Sequence, residues 1–374
     1  MRLIVVKRKT TFKYQAWIYT AMSLFLGILV YLIIMAFCGI SPVNVLVNVA
    51  KSFISPNIVK DFLVLTAMGC ALLISFRAAL WNIGGEGQFY MAMIPGAIFT
   101  LIVFNPQYNP APPPIVVILV ALSGMFIGAL WALLAALFKA YLKIDEVPVT
   151  LILNYIAYYT INYLVYGPLK GRYTYGYLRT DEIPGIYRLN IKLHVIPRGD
   201  TLQVFLQSMV AQLAYYIALL VLAILIYVFT WWFFKYCKIG LYIKIHGSNP
   251  GYLQAQGVNT KHITLLAMAI SGAIIGLTGS TYLLSELGRI PYELERQTAG
   301  YGYLAVLVAW LSLLDYRMVP ISAYIVSSLR NAGIALQAAG LGGAEQTFLL
   351  IGSILLTYSI IRFLVDYEVR IAWK

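Results

Sequence analysis

The sequence predicts an all-α, polytopic membrane protein of about ten transmembrane spans arranged with an inverted repeat. Three observations predict it. Hydrophobic residues make up 61% of the chain and charged residues 11%. Mean hydropathy is +0.80. The apolar residues fall in long runs bounded by charges and Pro/Gly clusters. An ordinary soluble domain is about a quarter charged, so a soluble fold could not hide this much apolar surface, and the same composition excludes disorder. A helical crossing needs roughly 20 apolar residues, so ten crossings use about 200 residues and leave the rest for loops.

The elements follow in order. A basic start (Arg2, Lys7, Arg8, Lys9, Lys13) precedes an apolar run over 16–38. That run exceeds the 7–15-residue apolar region of a signal peptide and reads as a retained first span. Further runs cover 58–76, 88–104, 115–138, 147–165, 204–234, 263–284, 300–314, 318–337 and 347–365. The third holds Pro95 and Gly96 and the eighth is short. Each reads as a full crossing or as a broken, re-entrant helix, which a membrane tolerates where protein or a watery cavity satisfies the freed backbone. The connection 105–114 is a proline-rich turn. The external loop 170–203, polar and aromatic with Pro184 and Pro197, is either a solvated cap or a docking surface. The cytoplasmic connection 235–262 holds a short helix after Asn249-Pro250, where Asn249 caps and Pro250 suits the first position. All of this reads as one transmembrane domain, 1–374, with 1–15 cytoplasmic.

The net charge of +13 is not gathered into a patch, so it speaks of orientation and not of nucleic acid. With the N-terminus inside, fifteen of the 27 Lys and Arg are cytoplasmic and ten external, six of those ten in the long external loop. Arg77 and Arg330 remain within spans. The bias puts both termini in the cytoplasm. Cys38, Cys70 and Cys237 have no CxxC spacing and fall at three depths, which argues against a disulfide or metal framework.

Enzyme machinery is missing. There is no P-loop for ATP, no H-E-x-x-H and no serine nucleophile elbow, and His194, His246 and His262 are isolated loop residues. What stands out is polar density beside the second span: Arg77, Trp81, Asn82, Glu86 and Gln88 among glycines, Gly85 included. A charge at mid-bilayer costs roughly 2.5–3.5 kcal/mol on insertion scales. The stretch is therefore either a short cytoplasmic turn or a broken helix lining a solute path, with Gly84, Gly85 and Gly87 allowing the backbone to turn. Arg330 and Asn331, mid-way along the ninth span, raise the same question. Glu86 is a candidate partner for Arg330, with span carbonyls or water as the alternative. Gly84-Gly85-Glu86-Gly87-Gln88-Phe89-Tyr90 and Ala299-Gly300-Tyr301-Gly302-Tyr303-Leu304 are faintly alike, and opposed directions of the spans before them would make an inverted repeat, unless both are chance glycine-rich helix ends.

Four stretches carry a family resemblance. Phe76-Arg77-Ala78-Ala79-Leu80-Trp81-Asn82-Ile83-Gly84-Gly85-Glu86-Gly87-Gln88 resembles the "F-R-A-G-L-x-N-I-G-x-E-G-Q" signature of ABC importer permeases for nucleosides and simple sugars. These belong with the ribose and branched-chain amino acid permeases. Val147-Pro148-Val149-Thr150-Leu151-Ile152-Leu153-Asn154-Tyr155-Ile156-Ala157, then Gly167-Pro168-Leu169-Lys170, is similar to "E-V-x-T-T-I-M-L-N-Y-I-A…G-P-L-K". Gly247-Ser248-Asn249-Pro250 to Gly257-Val258 resembles "G-x-N-P-x-A-A-x-x-x-G-I", departing at Tyr252-Leu253 and at Lys244, where an Arg is customary. Ser271-Gly272-Ala273-Ile274-Ile275-Gly276-Leu277-Thr278-Gly279 resembles "S-G-A-L-A-G-L-A-G".

The resemblance implies a permease subunit in the cell membrane. Its partners would be a second permease subunit, identical or homologous, two ATPase subunits and an external substrate-binding protein, with ATP and Mg held by the ATPase and no cofactor in this chain. It would form the path for a small polar solute, a nucleoside or simple sugar, with an ion-gradient-driven secondary transporter as the alternative. Candidate path residues are Trp81, Asn82, Gly85, Glu86, Gln88, Tyr301, Arg330 and Asn331; Trp81, Tyr90, Tyr301 and Tyr303 could stack on a base. Candidate ATPase-coupling residues are Gly247, Asn249, Pro250, Leu253 and Gly257. No catalytic or metal-ligating residue is expected.

Overall fold

Backbone groups in hydrocarbon have no water to bond, so each apolar run must satisfy its own as a helix. The structure, a computed structural model, describes residues 2–7, 13–172, 176–193, 201–298, 300–341 and 345–372. The chain divides into two compact units, 1–58 with 324–374, and 59–323.

In chain order the first elements are β1 (Arg2–Lys7), α1 (Lys13–Phe37), α2 (Pro42–Phe53), α3 (Ile58–Arg77), α4 (Gly85–Met91) and α5 (Met93–Ile98), which runs into a π-helical turn, Phe99–Val103. Then come α6 (Pro113–Leu142), α7 (Glu146–Tyr166), α8 (Thr201–Tyr215), α9 (Ile217–Tyr236), α10 (Lys238–Ser248) and α11 (Pro250–Ala255). Next is α12 (Thr260–Tyr282), ending in a second π-helical turn, Leu283–Leu287. The last are α13 (Glu295–Thr298), α14 (Tyr301–Leu311), α15 (Val319–Ala338), α16 (Glu345–Asp366) and β2 (Tyr367–Ala372).

All ten expected runs are helical, but they are not ten equal crossings. Among the described residues seven stretches are long and apolar enough to cross a membrane, or eight if Tyr301–Leu311 and Tyr316–Ala338, bent by 119°, form one. The eighth run is thus a short helix ending in a sharp turn. The third is a stretch of 19 residues built from α4, α5 and the π turn. The sixth run is broken at Tyr216, and α9 alone qualifies. Helix α7 is long enough, but its five tyrosines and two asparagines keep it from the apolar set.

The first unit packs α1 against α16. Ser353 Oγ donates to the Gly27 carbonyl at 3.0 Å and Thr357 Oγ1 to the Ser23 carbonyl at 2.9 Å. Tyr31 and Met35 of α1, Val45 and Val49 of α2, Leu329 and Leu336 of α15, and Leu350 and Ile354 of α16 share one buried cluster. Helix α2 was not foreseen, although Ser41-Pro42 opens it and Val45, Val49 and Ser52 give it a buried stripe. The strands pair antiparallel, Arg2 opposite Ala372 through Lys7 opposite Tyr367. Among the described residues this ribbon is the one pair of strands in an otherwise helical chain.

The second unit is built around α3, buried from Leu63 to Ile74 at nearly every position. Beside it α6 and α12 meet backbone to backbone. A Cβ on Gly128 would lie 2.3 Å from the Gly272 carbonyl oxygen, and one on Gly276 would lie 2.1 Å from that of Gly124. Small residues every fourth position (Gly124, Gly128, Ala132 facing Gly272, Gly276, Ser280) let the axes close, as membrane helices do without a hydrophobic drive. The described part of the loop expected to be external, 170–203, is pinned down. Thr180 N–H bonds the Ile290 carbonyl at 2.9 Å, Ile183 N–H that of Gly288 at 2.7 Å, and the buried Tyr187 hydroxyl that of Phe104 at 2.8 Å. Of the expected loop, 173–175 and 194–200 lie outside the described residues, as does Ala299.

Candidate functional site

The four resembling stretches converge on one loop. Helix α3 ends at Arg77, and residues 78–84 turn the chain back into α4. The left-handed turn is made at Ala79 (φ 56°), where the signature carries glycine. Gly84, Gly85 and Gly87 do not supply it, against expectation; Gly84 has φ −75°. Gly84 and Gly87 serve close packing, since a Cβ would sit 3.1 Å from Thr150 Cβ on the first and 2.9 Å from Asn154 Oδ1 on the second.

Each of the other stretches contributes a bond. Asn154 of α7 clasps the loop from both sides: its Oδ1 accepts from Gly87 N–H at 2.8 Å and its Nδ2 donates to the Ile83 carbonyl at 2.9 Å. Ser271 of α12 accepts from Asn82 Nδ2 at 3.2 Å. From the connection 235–262, His246 Nδ1 lies 3.0 Å from the Ala78 carbonyl oxygen. Gly247 packs so tightly that a Cβ would come within 2.1 Å of the Arg77 oxygen. Glu146, at the start of α7, accepts from Trp81 N–H at 2.9 Å and pairs with Lys139 at 2.6 Å.

Glu86 joins the two glycine-rich helix starts. One carboxylate oxygen accepts from Gly302 N–H at the open end of α14, and the other accepts from Thr298 Oγ1 at 3.2 Å. Tyr90 OH lies 2.9 Å from the same Thr298 hydroxyl. A carboxylate at a helix N-terminus meets unsatisfied N–H groups and the positive end of the dipole. The approach requires glycine at 302, where a Cβ would lie 2.2 Å from Glu86 N. Tyr301 bonds Asp61 of α3 through its hydroxyl and stacks edge-on with Phe89 and Tyr282.

The structure therefore brings together Asn82, Gly85, Glu86, Gln88 and Tyr301, but as a closed network. Asn82 and Gln88 exchange amide bonds at 2.8 and 3.2 Å, and both are buried. Of the candidate stacking rings Tyr90 and Tyr301 are buried, whereas Trp81 and Tyr303 are each 38% exposed. Trp81 packs against Phe76 and Trp310. Arg330 and Asn331 lie buried in α15, in the first unit. Arg77 donates through Nε to the Leu314 carbonyl at 2.8 Å and covers the Phe234 ring. Leu313 and Leu314, like Ala79, are left-handed, so two strained turns are tied by one arginine.

The connection 235–262 holds the capped helix expected after Asn249-Pro250 and gains another, α10, before it. Asn249 Oδ1 accepts from Tyr252 N–H at 3.1 Å, Pro250 opens α11, and Gly257 (φ 75°) ends it in the left-handed conformation glycine adopts most easily. Within this segment Leu253 and Tyr252 point to opposite surroundings. Leu253 is buried and anchors α11, while Tyr252 is exposed.

Sequence reasoning missed Asn154, Glu146 and His246. The first lay within a stretch already singled out; Glu146 was readable as the acidic first turn after the Asp145 cap. No group of three His, Cys, Asp or Glu among the described residues could hold a metal. Restoring glycine at the strained turn, Ala79→Gly, should raise stability by about 0.5–1 kcal/mol. A left-handed alanine costs about 1–2 kcal/mol, partly offset by glycine's greater unfolded freedom. A melting temperature in detergent that falls would count against it.

Relatives are similar over much of the chain. A glucose ABC transporter permease protein of Haloferax volcanii is 24% identical over 65% of this chain and 59% of its own length. A nucleoside ABC transporter permease protein of Lactococcus lactis is 24% identical over 74% and 66%. A guanosine ABC transporter permease protein of Bacillus subtilis is 28% identical over 78% and 80%. The chain thus spans less than two thirds of the length of the glucose and nucleoside relatives. No solved structure matches it. The family described as "Branched-chain amino acid transport system / permease component" matches residues 57–360, which take in the signature loop, its three clasping helices and the connection 235–262, and the chain belongs to that family.

Proposed function

We propose that the chain is the transmembrane subunit of an ATP-binding cassette importer, moving a nucleoside or simple sugar inward across the cell membrane. A second permease subunit, two ATPase subunits holding ATP and Mg, and an external binding protein complete it. The observation that carries this reading is the seat of the cytoplasmic segment on the signature loop, His246 on the Ala78 carbonyl and Gly247 on that of Arg77. A push on α11 has a short, stiff route to Trp81. The terminal ribbon supports both ends lying on one side, which we take as cytoplasmic, and the meeting of α4 and α14 through Glu86 and Gly302 supports the inverted repeat. An ion-gradient transporter is less favoured, because Glu86 is engaged by a backbone N–H and a threonine and not by a second carboxylate.

Proteoliposomes holding the chain with its ATPase and binding protein test this. Uptake of labelled guanosine or glucose should require ATP hydrolysis. Uptake driven by a proton or sodium gradient without ATP would sink the reading. In the same vesicles Tyr252→Asp should lower uptake at least about tenfold with an unchanged melting temperature, a loss of about 1.4 kcal/mol in transition-state terms. Leu253→Ala should instead destabilise the fold, since burying less of a leucine costs about 2–5 kcal/mol. Normal coupling in Tyr252→Asp would put the ATPase contact elsewhere.

A further inference from the structure

Helix α7 turns two unlike faces outward from its axis. Thr150, Asn154, Ala157, Ile161 and Val165 are buried at helical spacing. The opposite face presents Tyr155, Tyr159, Tyr163 and Tyr166, each 63–70% exposed. The first three, with Ile152 and Ile156, line an open groove of about 560 Å³. Among the described residues none of these four hydroxyls has a hydrogen-bond partner. The exposed faces of other spans differ: α6 shows Leu122, Phe126 and Leu130, and α9 shows Ile224, Leu225 and Val228.

Hydrocarbon covers leucine and valine without loss, but it offers a tyrosine hydroxyl nothing to bond. Aromatic belts explain tyrosines near span ends. They do not explain Tyr155 and Tyr159, which at 1.5 Å per residue stand about 14 and 20 Å along a helix of about 30 Å. The same residues keep α7 out of the apolar set. Tyr303, 38% exposed at the start of α14, accepts from Asn154 Nδ2 at 3.3 Å through its hydroxyl. Meanwhile the amides of Asn82 and Gln88 are spent on each other.

We infer that the α7 tyrosine face is a wall of the solute path, covered by water and not by lipid, where a solute with a flat ring face and a polar edge stacks as it crosses. The rings supply sequence-tolerant stacking, and the hydroxyls replace part of the solute's hydration. A base and a sugar share this chemistry. The inference rests on the importer reading above for what moves along the wall, but not for the water.

Tyr155→Cys, Tyr159→Cys and, as a lipid-facing control, Leu225→Cys are placed in the full chain lacking Cys38, Cys70 and Cys237, assembled with its partners in vesicles. A charged, membrane-impermeant thiol reagent should label the first two at least about tenfold faster than the control, because thiolate chemistry needs water. Millimolar guanosine or glucose should slow that labelling, and which one does so separates base from sugar. Labelling of Tyr155→Cys and Tyr159→Cys by a lipid-soluble maleimide alone would overturn the wall. So would a disulfide between two copies with both positions closed to the charged reagent, which makes the face a permease–permease seam. Water labelling that neither solute slows would overturn the stacking. Failure of ATP-driven uptake in the unaltered protein would remove the importer reading and leave the labelling pattern standing.

Discussion

Gly128→Leu is expected to leave no protein that survives extraction as a folded species. The methyl-sized space for even a Cβ is absent at this position, where the nearest atom is the Gly272 carbonyl oxygen at 2.3 Å and the next are the Gly276 Cα and N. Backbone cannot swing aside as a side-chain tip does, so α6 and α12 would have to part along the whole seam. Gly128→Ala should cost about 1–3 kcal/mol, the usual range for overpacking, and leucine more than about 4 kcal/mol, in the exceptional tail of single substitutions. Gly352→Ala is the matched control. Nothing lies within 4 Å of its Cβ, it sits in the interior of α16, and alanine is favoured over glycine there by up to about 1 kcal/mol. Monodispersity and thermal melting in detergent read all three. A Gly128→Leu protein melting with the parent would mean that the two helices do not meet this way.

Glu86→Ala should be nearly as damaging, because of the donors it orphans. It leaves the Gly302 N–H and the Thr298 hydroxyl buried without their acceptor. Each buried donor left without its acceptor costs about 1–3 kcal/mol. Uptake should fall to background and the melting temperature with it. Glu86→Gln keeps one carbonyl oxygen for Gly302 and should retain most of the stability and a measurable rate. Equal loss in both variants, with melting unchanged, would show instead that the carboxylate meets the solute itself.

The position of nearly every helix was legible, because apolar runs and their Pro, Gly and charged borders are local signals. The crossing count was not. Whether 300–314 and 318–337 are two spans or one bent pair depends on a 119° turn made by Leu313 and Leu314 in left-handed conformations, which nothing in a pair of leucines announces. The signature loop was found, with its polar residues read as a short turn or as the lining of a solute path, and their mutual bonds were not foreseen. Asn82 and Gln88 face each other, a long-range choice made by Ser271 and by the fold of 78–84. Asn154 illustrates the general difficulty: an asparagine within a span announces a partner without naming it. The α6–α12 seam could have been read, since Gly124 and Gly128 face Gly272 and Gly276 at matching intervals of four, and the interval is a known packing signal.

The first unit is assembled from the two extremes of the sequence, and this sets an order of events during synthesis. The bond from Thr357 to Ser23 joins residues 334 apart, and that from Ser353 to Gly27 joins residues 326 apart. At about 5–20 residues per second, α1 waits roughly 15–65 s for α16 to emerge. The whole of 59–323 can close during that interval, since its own contacts lie within the stretch already made. A soluble helix with so much uncovered apolar surface would aggregate while it waited. Here the bilayer holds α1 as an independent stable stage until its mate arrives, so a ribosome that stops before α16 releases a chain whose second unit is finished and whose first helix has a lipid neighbour in place of a protein one.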